Sequence, residues 1–319
     1  MIIDRRILLA SLAATAVLPA AAQAQNKIVR VPISPLPSGR PSVQLTIDGK
    51  GPYTFMIDTG AGMAVIKSDL ALQLGLISTR EVRLDSLKGW NLCKVYPIKN
   101  MVLGGSLRVP EFEMAGFETI PHDDVDGILP VDFLTLLPSQ IDFVASEIRY
   151  YLGVAMDLDG FTEVNAVYHA DNHEDAAKVY LEIHIAGTKL LCLADTGASW
   201  GMLVQSSAVK KLGWWDKFPA LRDIPTIGAN GEQTQARLVR ADDVTIGGIP
   251  IPRLAVLLSD PHERQASDLP YDGVVGMPFL HAFTLAFAPG KRLFMKPNGL
   301  VKGLSIPQGD ASGGASASS

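Results

Sequence analysis

A mainly β chain folded as two lobes of similar design is what this sequence predicts, and three repeated segments predict it. Phe55-Met56-Ile57 leads into Asp58-Thr59-Gly60-Ala61, and Leu190-Leu191-Cys192-Leu193-Ala194 leads into Asp195-Thr196-Gly197-Ala198. Val102-Leu103-Gly104-Gly105 is matched by Thr245-Ile246-Gly247-Gly248. The run from Asp126-Gly127-Ile128 to Phe133-Leu134 is matched by Asp272-Gly273-Val274 to Phe279-Leu280. Order and spacing are kept between the copies, as in a duplicated structural unit.

The elements follow in chain order. Residues 1–24 read as a signal peptide, because Arg5-Arg6 precedes the apolar stretch Ile7 to Ala22 and Ala22-Gln23-Ala24 is a small-x-small cleavage site. The stretch is short and alanine-rich for a membrane span, and no cysteine follows it to take a lipid, so no membrane anchor is expected. The mature protein is expected in the periplasm or outside the cell, with Arg5-Arg6 permitting twin-arginine as well as general export.

Residues 27–152 form the first lobe. Val43-Gln44-Leu45-Thr46-Ile47 alternates as a strand does, and Val179-Tyr180-Leu181-Glu182-Ile183 repeats it before the second Asp. Ser68 to Leu74 and Ser206 to Leu212 read as helices, stopped by Gly75 and Gly213. Leu84 to Val95 reads as a hairpin with Gly89-Trp90 at its tip, and Asn230-Gly231 marks its counterpart. Gln140 to Tyr150 and Phe283 to Met295 are strand-like.

Residues 153–177 read as a polar connection between the lobes. They include His169 and His173 beside Asp171 and Glu174, a spacing that metal sites use on helices, but the polar setting reads as a solvated linker and no metal is expected. Residues 178–306 form the second lobe, and the Gly-, Ser- and Ala-rich tail at 307–319 is expected to be disordered. Trp200 and Trp214-Trp215 are expected in core or interface packing. Cys93 and Cys192 fall in different lobes, so two unpaired, buried thiols are expected.

The chain has 319 residues, 47% of them hydrophobic, enough to bury one large core or two moderate ones. Its net charge is −5 and no basic run occurs, so neither nucleic acid nor an anionic membrane is an expected partner.

A buried strand that ends in Asp and then Gly puts a carboxylate at a sharp corner, where the glycine is expected to take positive φ. Two-fold symmetry between the lobes would bring Asp58 and Asp195 to the interface, where two carboxylates share one proton. These residues resemble the aspartic peptidases, most closely the retropepsin-like bacterial branch, here as a fused pair of pepsin-like β-barrel lobes. The resemblance covers about residues 40 to 300.

That resemblance implies Asp58 and Asp195 as the catalytic dyad, an inter-lobe hydroxyl brace at Thr59 and Thr196, and tight turns at Gly60 and Gly197. It also implies flaps that close over substrate, with Gly89, Trp90, Asn230 and Gly231 as candidates. One departure is Pro130, where the second lobe keeps the family's glycine as Gly276. Another is Ala61 and Ala198, where acid-adapted pepsin-like enzymes usually carry Ser or Thr.

The expected activity is hydrolysis of polypeptides by an activated water, with no metal or organic cofactor, in a monomer that already supplies both halves. A silent peptide-binding protein on the same fold is the alternative. A glycosidase also uses two carboxylates but needs them about 5 Å or more apart.

Overall fold

A computed structural model describes residues 26–86, 89–120, 124–170, 177–227, 233–251, 253–262 and 269–304. The segments expected to be a signal peptide, 1–24, and a disordered tail, 307–319, lie outside them, as do Asn230, Gly231 and His173.

Each lobe grows from one hairpin. In Pro41–Ile47 the residues Val43, Leu45 and Ile47 face the core while Gln44 faces solvent, the alternation of a half-buried strand. This strand pairs antiparallel with Lys50–Ile57 through a two-residue turn at Asp48-Gly49, whose φ angles are 49° and 75°. The second lobe repeats the turn at Ala186-Gly187, with φ of 48° and 74°, between Ala177–Ile185 and Thr188–Ala194. Two successive left-handed residues match the twist of the flanking strands, which is why such turns close tight hairpins.

A third strand then threads the lobe. Gly127–Leu129 runs parallel to Lys50–Ile57, with Phe55 opposite Gly127 and Ile57 opposite Leu129, and antiparallel to Val65–Lys67. In the second lobe Gly273–Val275 takes the same place between Thr188–Ala194 and Met202–Val204. Parallel neighbours need a long excursion between them. The excursion holds the short helices Ser68–Gln73 and Ser206–Leu212, which end before Gly75 and at Gly213, with φ of 74° and 63°.

The lobes are joined by a six-stranded sheet. Its order is Lys27–Pro35, Glu147–Leu152, Ser139–Asp142, Phe283–Ala288, Arg292–Pro297 and Thr162–Val164. Ser139–Asp142 from the first lobe pairs antiparallel with Phe283–Ala288 from the second, Ile141 opposite Leu285, so the local two-fold axis passes between these strands. Ile57, Ile141, Leu181, Ala194, Leu285 and Phe287 belong to one buried cluster that spans both lobes.

Several sequence expectations change here. The stretch 153–177 carries two strands, Thr162–Val164 on the six-stranded sheet and Ala166–Ala170 against Ala177–Ile185, so His169 sits in a ladder opposite Lys178. Polar composition hid an edge position, where one side of a strand meets solvent. Cys93 and Cys192 are both free and buried. Trp214 is buried and Trp215 stacks beneath the Arg237 guanidinium at 4.1 Å, but Trp200 is 38% exposed. Among the described residues no helix is long and apolar enough to cross a membrane.

Candidate active site

Each of the two Asp-Thr-Gly turns starts where its strand meets the threading strand. Asp58 N donates to Leu129 O at 2.9 Å, and Asp195 N donates to Val275 O at 2.9 Å. Pro130 therefore leaves the anchoring of Asp58 unchanged. In the second lobe a Cβ on Gly276 would fall 2.1 Å from Trp200 O and 2.9 Å from Ala198 Cβ, so only glycine fits there. That packing tucks the Trp200 main chain inward while the residue as a whole stays 38% exposed.

A second pair of carboxylates, Asp126 and Asp272, builds the frame. Asp126 Oδ2 accepts from Thr54 N at 2.8 Å, and Asp272 Oδ2 accepts from Leu191 N at 2.9 Å. The backbones follow suit: Asp126 N donates to Thr54 O and Asp272 N to Leu191 O, both at 2.7 Å. Each carboxylate thus holds the incoming end of the threading strand against the strand that leads to the Asp-Thr-Gly turn. The signal in the sequence is the Asp-Gly repeated at the start of each threading strand.

Thr59 and Thr196 lock the turns to each other. Thr59 Oγ1 donates to Ala194 O and Thr196 Oγ1 donates to Ile57 O, both at 2.6 Å. Each hydroxyl also accepts from the opposite threonine's main chain: Thr59 N reaches Thr196 Oγ1 at 3.0 Å and Thr196 N reaches Thr59 Oγ1 at 3.1 Å. Both residues are buried, at 3% and 0% exposure. Thr59→Val and Thr196→Val each leave a buried N–H and a buried carbonyl without partners, so each is expected to cost about 2–4 kcal/mol in urea unfolding. Thr→Ser at either position should recover most of that loss, and a Val variant within about 0.5 kcal/mol of wild type would refute the brace.

The glycines serve a different purpose from the one expected. Neither Gly60 nor Gly197 is among the glycines with positive φ. What they supply is room, because a Cβ on Gly60 would lie 2.6 Å from Asp195 Cγ and a Cβ on Gly197 would lie 2.5 Å from Asp58 Cγ. Each turn is therefore packed against the carboxylate of the other, which brings the two carboxylates together.

The electrostatics follow from that proximity. Burial pushes the Asp58 carboxyl above its ordinary range, opposed by hydrogen bonds from Asp195 and Gly60 N–H and by the Arg40 charge. Burial pushes Asp195 well above its range, and the Asp58 charge and hydrogen bond add to the rise. Two close carboxylates in a half-buried site cannot both ionise, so the pair retains one proton after the first is lost. Gly60 N at 2.9 Å on Asp58, and Gly197 N at 2.7 Å with Ala198 N at 3.1 Å on Asp195, hold the anionic oxygens in place.

Apolar clusters flank the pair. Met56 precedes Asp58 by two residues and packs with Val65, Ile120 and Val125, while Leu193 precedes Asp195 by two and packs with Tyr180, Ala198 and Val274. Residues two apart on a strand share a face, so each carboxylate has apolar side chains beside it.

Two hairpins stand beyond the excursions. Arg80–Ser86 pairs with Gly89–Ile98 and sets Ser86 opposite Gly89, so the connection falls at residues 87–88, outside the described residues, rather than at Gly89-Trp90. Gly89 closes the ladder instead of forming the turn. Leu84 and Cys93 from this hairpin pack on Met63, which places the hairpin over the loop that follows Asp58. In the second lobe Ala220–Ile227 pairs with Gln233–Ala241, and Asn230-Gly231 falls between them, outside the described residues.

Comparisons with known proteins agree with this architecture. The crystal structure of an aspartic proteinase from Irpex lacteus is similar over 88% of this chain and 100% of that one, with a TM-score of 0.57 and 14% identity. Conglutin gamma, a basic 7S globulin from lupine seeds, is similar over 87% of this chain and 97% of its own, with a TM-score of 0.51 and 11% identity. At such identities the likeness is one of fold. No curated protein matches the sequence. The model of the aspartyl protease family matches residues 43–133 and again residues 181–279, one copy in each lobe. With a duplicated match over most of both lobes, a bilobal pepsin-like fold and paired Asp-Thr-Gly turns, the chain belongs to the aspartyl protease family.

Proposed function

We propose that this protein is an aspartic endopeptidase that hydrolyses polypeptides of the cell envelope or surroundings with a water held between Asp58 and Asp195. The observation that carries this reading is the reciprocal packing of each glycine against the opposite carboxylate, which leaves the two Asp side chains no separate place to go. In the singly protonated pair one carboxylate takes a proton from the water as its oxygen attacks the peptide carbonyl carbon. The protonated partner donates to the carbonyl oxygen. On collapse of the tetrahedral intermediate the pair gives its proton to the departing nitrogen as the C–N bond breaks, and a hydroxyl of the intermediate returns a proton to the pair as the new carboxyl group forms. Apolar side chains are the expected choice on either side of the cut.

Cleavage of an unbiased peptide library, mapped by mass spectrometry, tests the activity and its apolar preference. Specific activity should stay constant on dilution, because both halves of the site reside in one chain; a steep fall would place the site between chains. The pH profile is expected to peak in the mildly acidic to neutral range, since burial raises both carboxyls and Ala61 and Ala198 offer no hydroxyl to the anion. In the double variant Ala61→Ser with Ala198→Ser, a hydroxyl donor favours the ionised form and should move the acid limb to lower pH. A limb that stays in place would remove the hydroxyl argument, and a wild-type optimum in strong acid would defeat the expectation.

A further inference from the structure

The two threading strands are short and apolar throughout. Gly127–Leu129 and Gly273–Val275 carry no polar side chain, and the second is buried along its whole length. A strand with one buried and one wet face is fixed in register by its alternation, because a one-residue slip turns every side chain to the wrong side. An all-apolar strand between two neighbours has no such alternation to hold it. Yet its register decides where the Asp-Thr-Gly turns stand, since Leu129 O and Val275 O receive the N–H groups of Asp58 and Asp195, both at 2.9 Å.

The register is set at the entry of each strand instead. Asp126 grips both neighbours: its carboxylate accepts from Thr54 N at 2.8 Å, its N donates to Thr54 O at 2.7 Å, and its O accepts from Lys67 N at 2.8 Å. Asp272 repeats all three bonds, with Leu191 N at 2.9 Å, Leu191 O at 2.7 Å and Gln205 N at 2.8 Å. The glycine that follows leaves no room for a shifted neighbour, because a Cβ on Gly127 would lie 2.3 Å from Val65 O and one on Gly273 would lie 2.5 Å from Leu203 O. Any residue but proline supplies the main-chain bonds, so the carboxylate bonds are what the choice of Asp adds.

We propose that Asp126 and Asp272 are positioning residues that key the register of the two threading strands and so keep Asp58 and Asp195 in step across the lobe interface. Loss of one key displaces one turn relative to the other, and a pair that works through a shared proton needs both in place. The effect on turnover rests on the peptidase reading above; the effect on register does not.

Amide hydrogen exchange reads the register without any substrate. Asp126→Ala removes the acceptor of Thr54 N and should speed exchange at the Asp58 N–H about tenfold relative to the Asp195 N–H. Asp272→Ala should do the reverse. Asn keeps an acceptor oxygen, so Asp126→Asn and Asp272→Asn should retain the protection of both amides within about threefold of wild type. On a cleaved peptide each Ala variant should lower kcat about tenfold with KM little changed, and the double variant should lose little more, because the paired carboxylates act as one unit. Urea stabilities should add instead, since Asp126 and Asp272 lie in separate lobes and share no partner.

Equal acceleration at both amides in an Ala variant would make its carboxylate a general stabiliser and overturn the proposal, as would unchanged exchange. Asn variants that lose the protection of one amide overturn it too, and that arm stands even if the Ala variants do not fold. Absence of peptide cleavage by wild type would instead defeat the peptidase reading and leave hydrogen exchange to decide the role of the two keys.

Discussion

Asp58→Asn and Asp195→Asn should each lower kcat/KM on a cleaved peptide by at least about 10³-fold, because groups that act as one unit lose nearly everything when either is removed. Folding should not suffer. Asn keeps an oxygen to accept from Gly60 or Gly197 N–H and an amide to donate across the pair. A carboxyl whose pKa is raised in the folded state opposes folding at pH above its unfolded value and ceases to do so below it. Both Asp58 and Asp195 are raised, so each Asn variant should melt at or above the wild-type temperature at pH 7, with any gain shrinking as pH falls toward about 4 and absent below it. Parallel activity and thermal scans at the two pH values check this. An Asn variant with substantial turnover would remove the paired mechanism, and a large fall in Tm at neutral pH would contradict the electrostatics.

Gly60→Ala and Gly197→Ala form the second large effect. Neither glycine has positive φ, so alanine suits the backbone and would by itself stabilise slightly through the unfolded chain. The obstacle is the opposite carboxylate, 2.6 Å from the new Cβ at Gly60 and 2.5 Å at Gly197. Either that carboxylate or the turn must move. Misplacement of a reacting group by about 1 Å costs about 10²-fold in rate, and overpacking of this kind costs about 1–3 kcal/mol. The cause can be isolated by a double-mutant cycle, since Gly60→Ala should be much less destabilising in an Asp195→Ala background, where the clashing group is gone. Additive effects in that cycle would show that the glycine serves the backbone after all.

Much of this was legible in the sequence because duplication writes the same local pattern twice. Asp58 with Asp195 and Thr59 with Thr196 lie where the repeat puts them, and the helices and glycine stops after each turn follow local rules of period and termination. Pairings between distant strands were not legible. Nothing in the period of Ser139–Asp142 says that its neighbour is Phe283–Ala288, since register between remote segments is set by tertiary packing. The reason for Gly60 and Gly197 was hidden for a related cause: a turn signal reports what the chain does locally, and here the constraint comes from the other lobe. Asp126 and Asp272 were visible as a repeat, but their partners Thr54 and Leu191 lie far back in the chain. Trp200 misled because aromatic character says how much area a side chain can bury, not whether a partner is there to bury it.

The sheet that joins the lobes also sets an order in time. Phe283–Ala288 and Arg292–Pro297 complete a sheet begun by Lys27–Pro35, so a chain emerging from the ribosome makes the closing strands more than two hundred residues after the first one. Until they arrive, Ser139–Asp142 has an open edge, and the two Asp-Thr-Gly turns lack the frame that holds them face to face. Contacts of such long sequence separation form late and slowly. A nascent chain therefore cannot assemble the paired carboxylates, and its own synthesis withholds the site until Phe283–Ala288 and Arg292–Pro297 have been made.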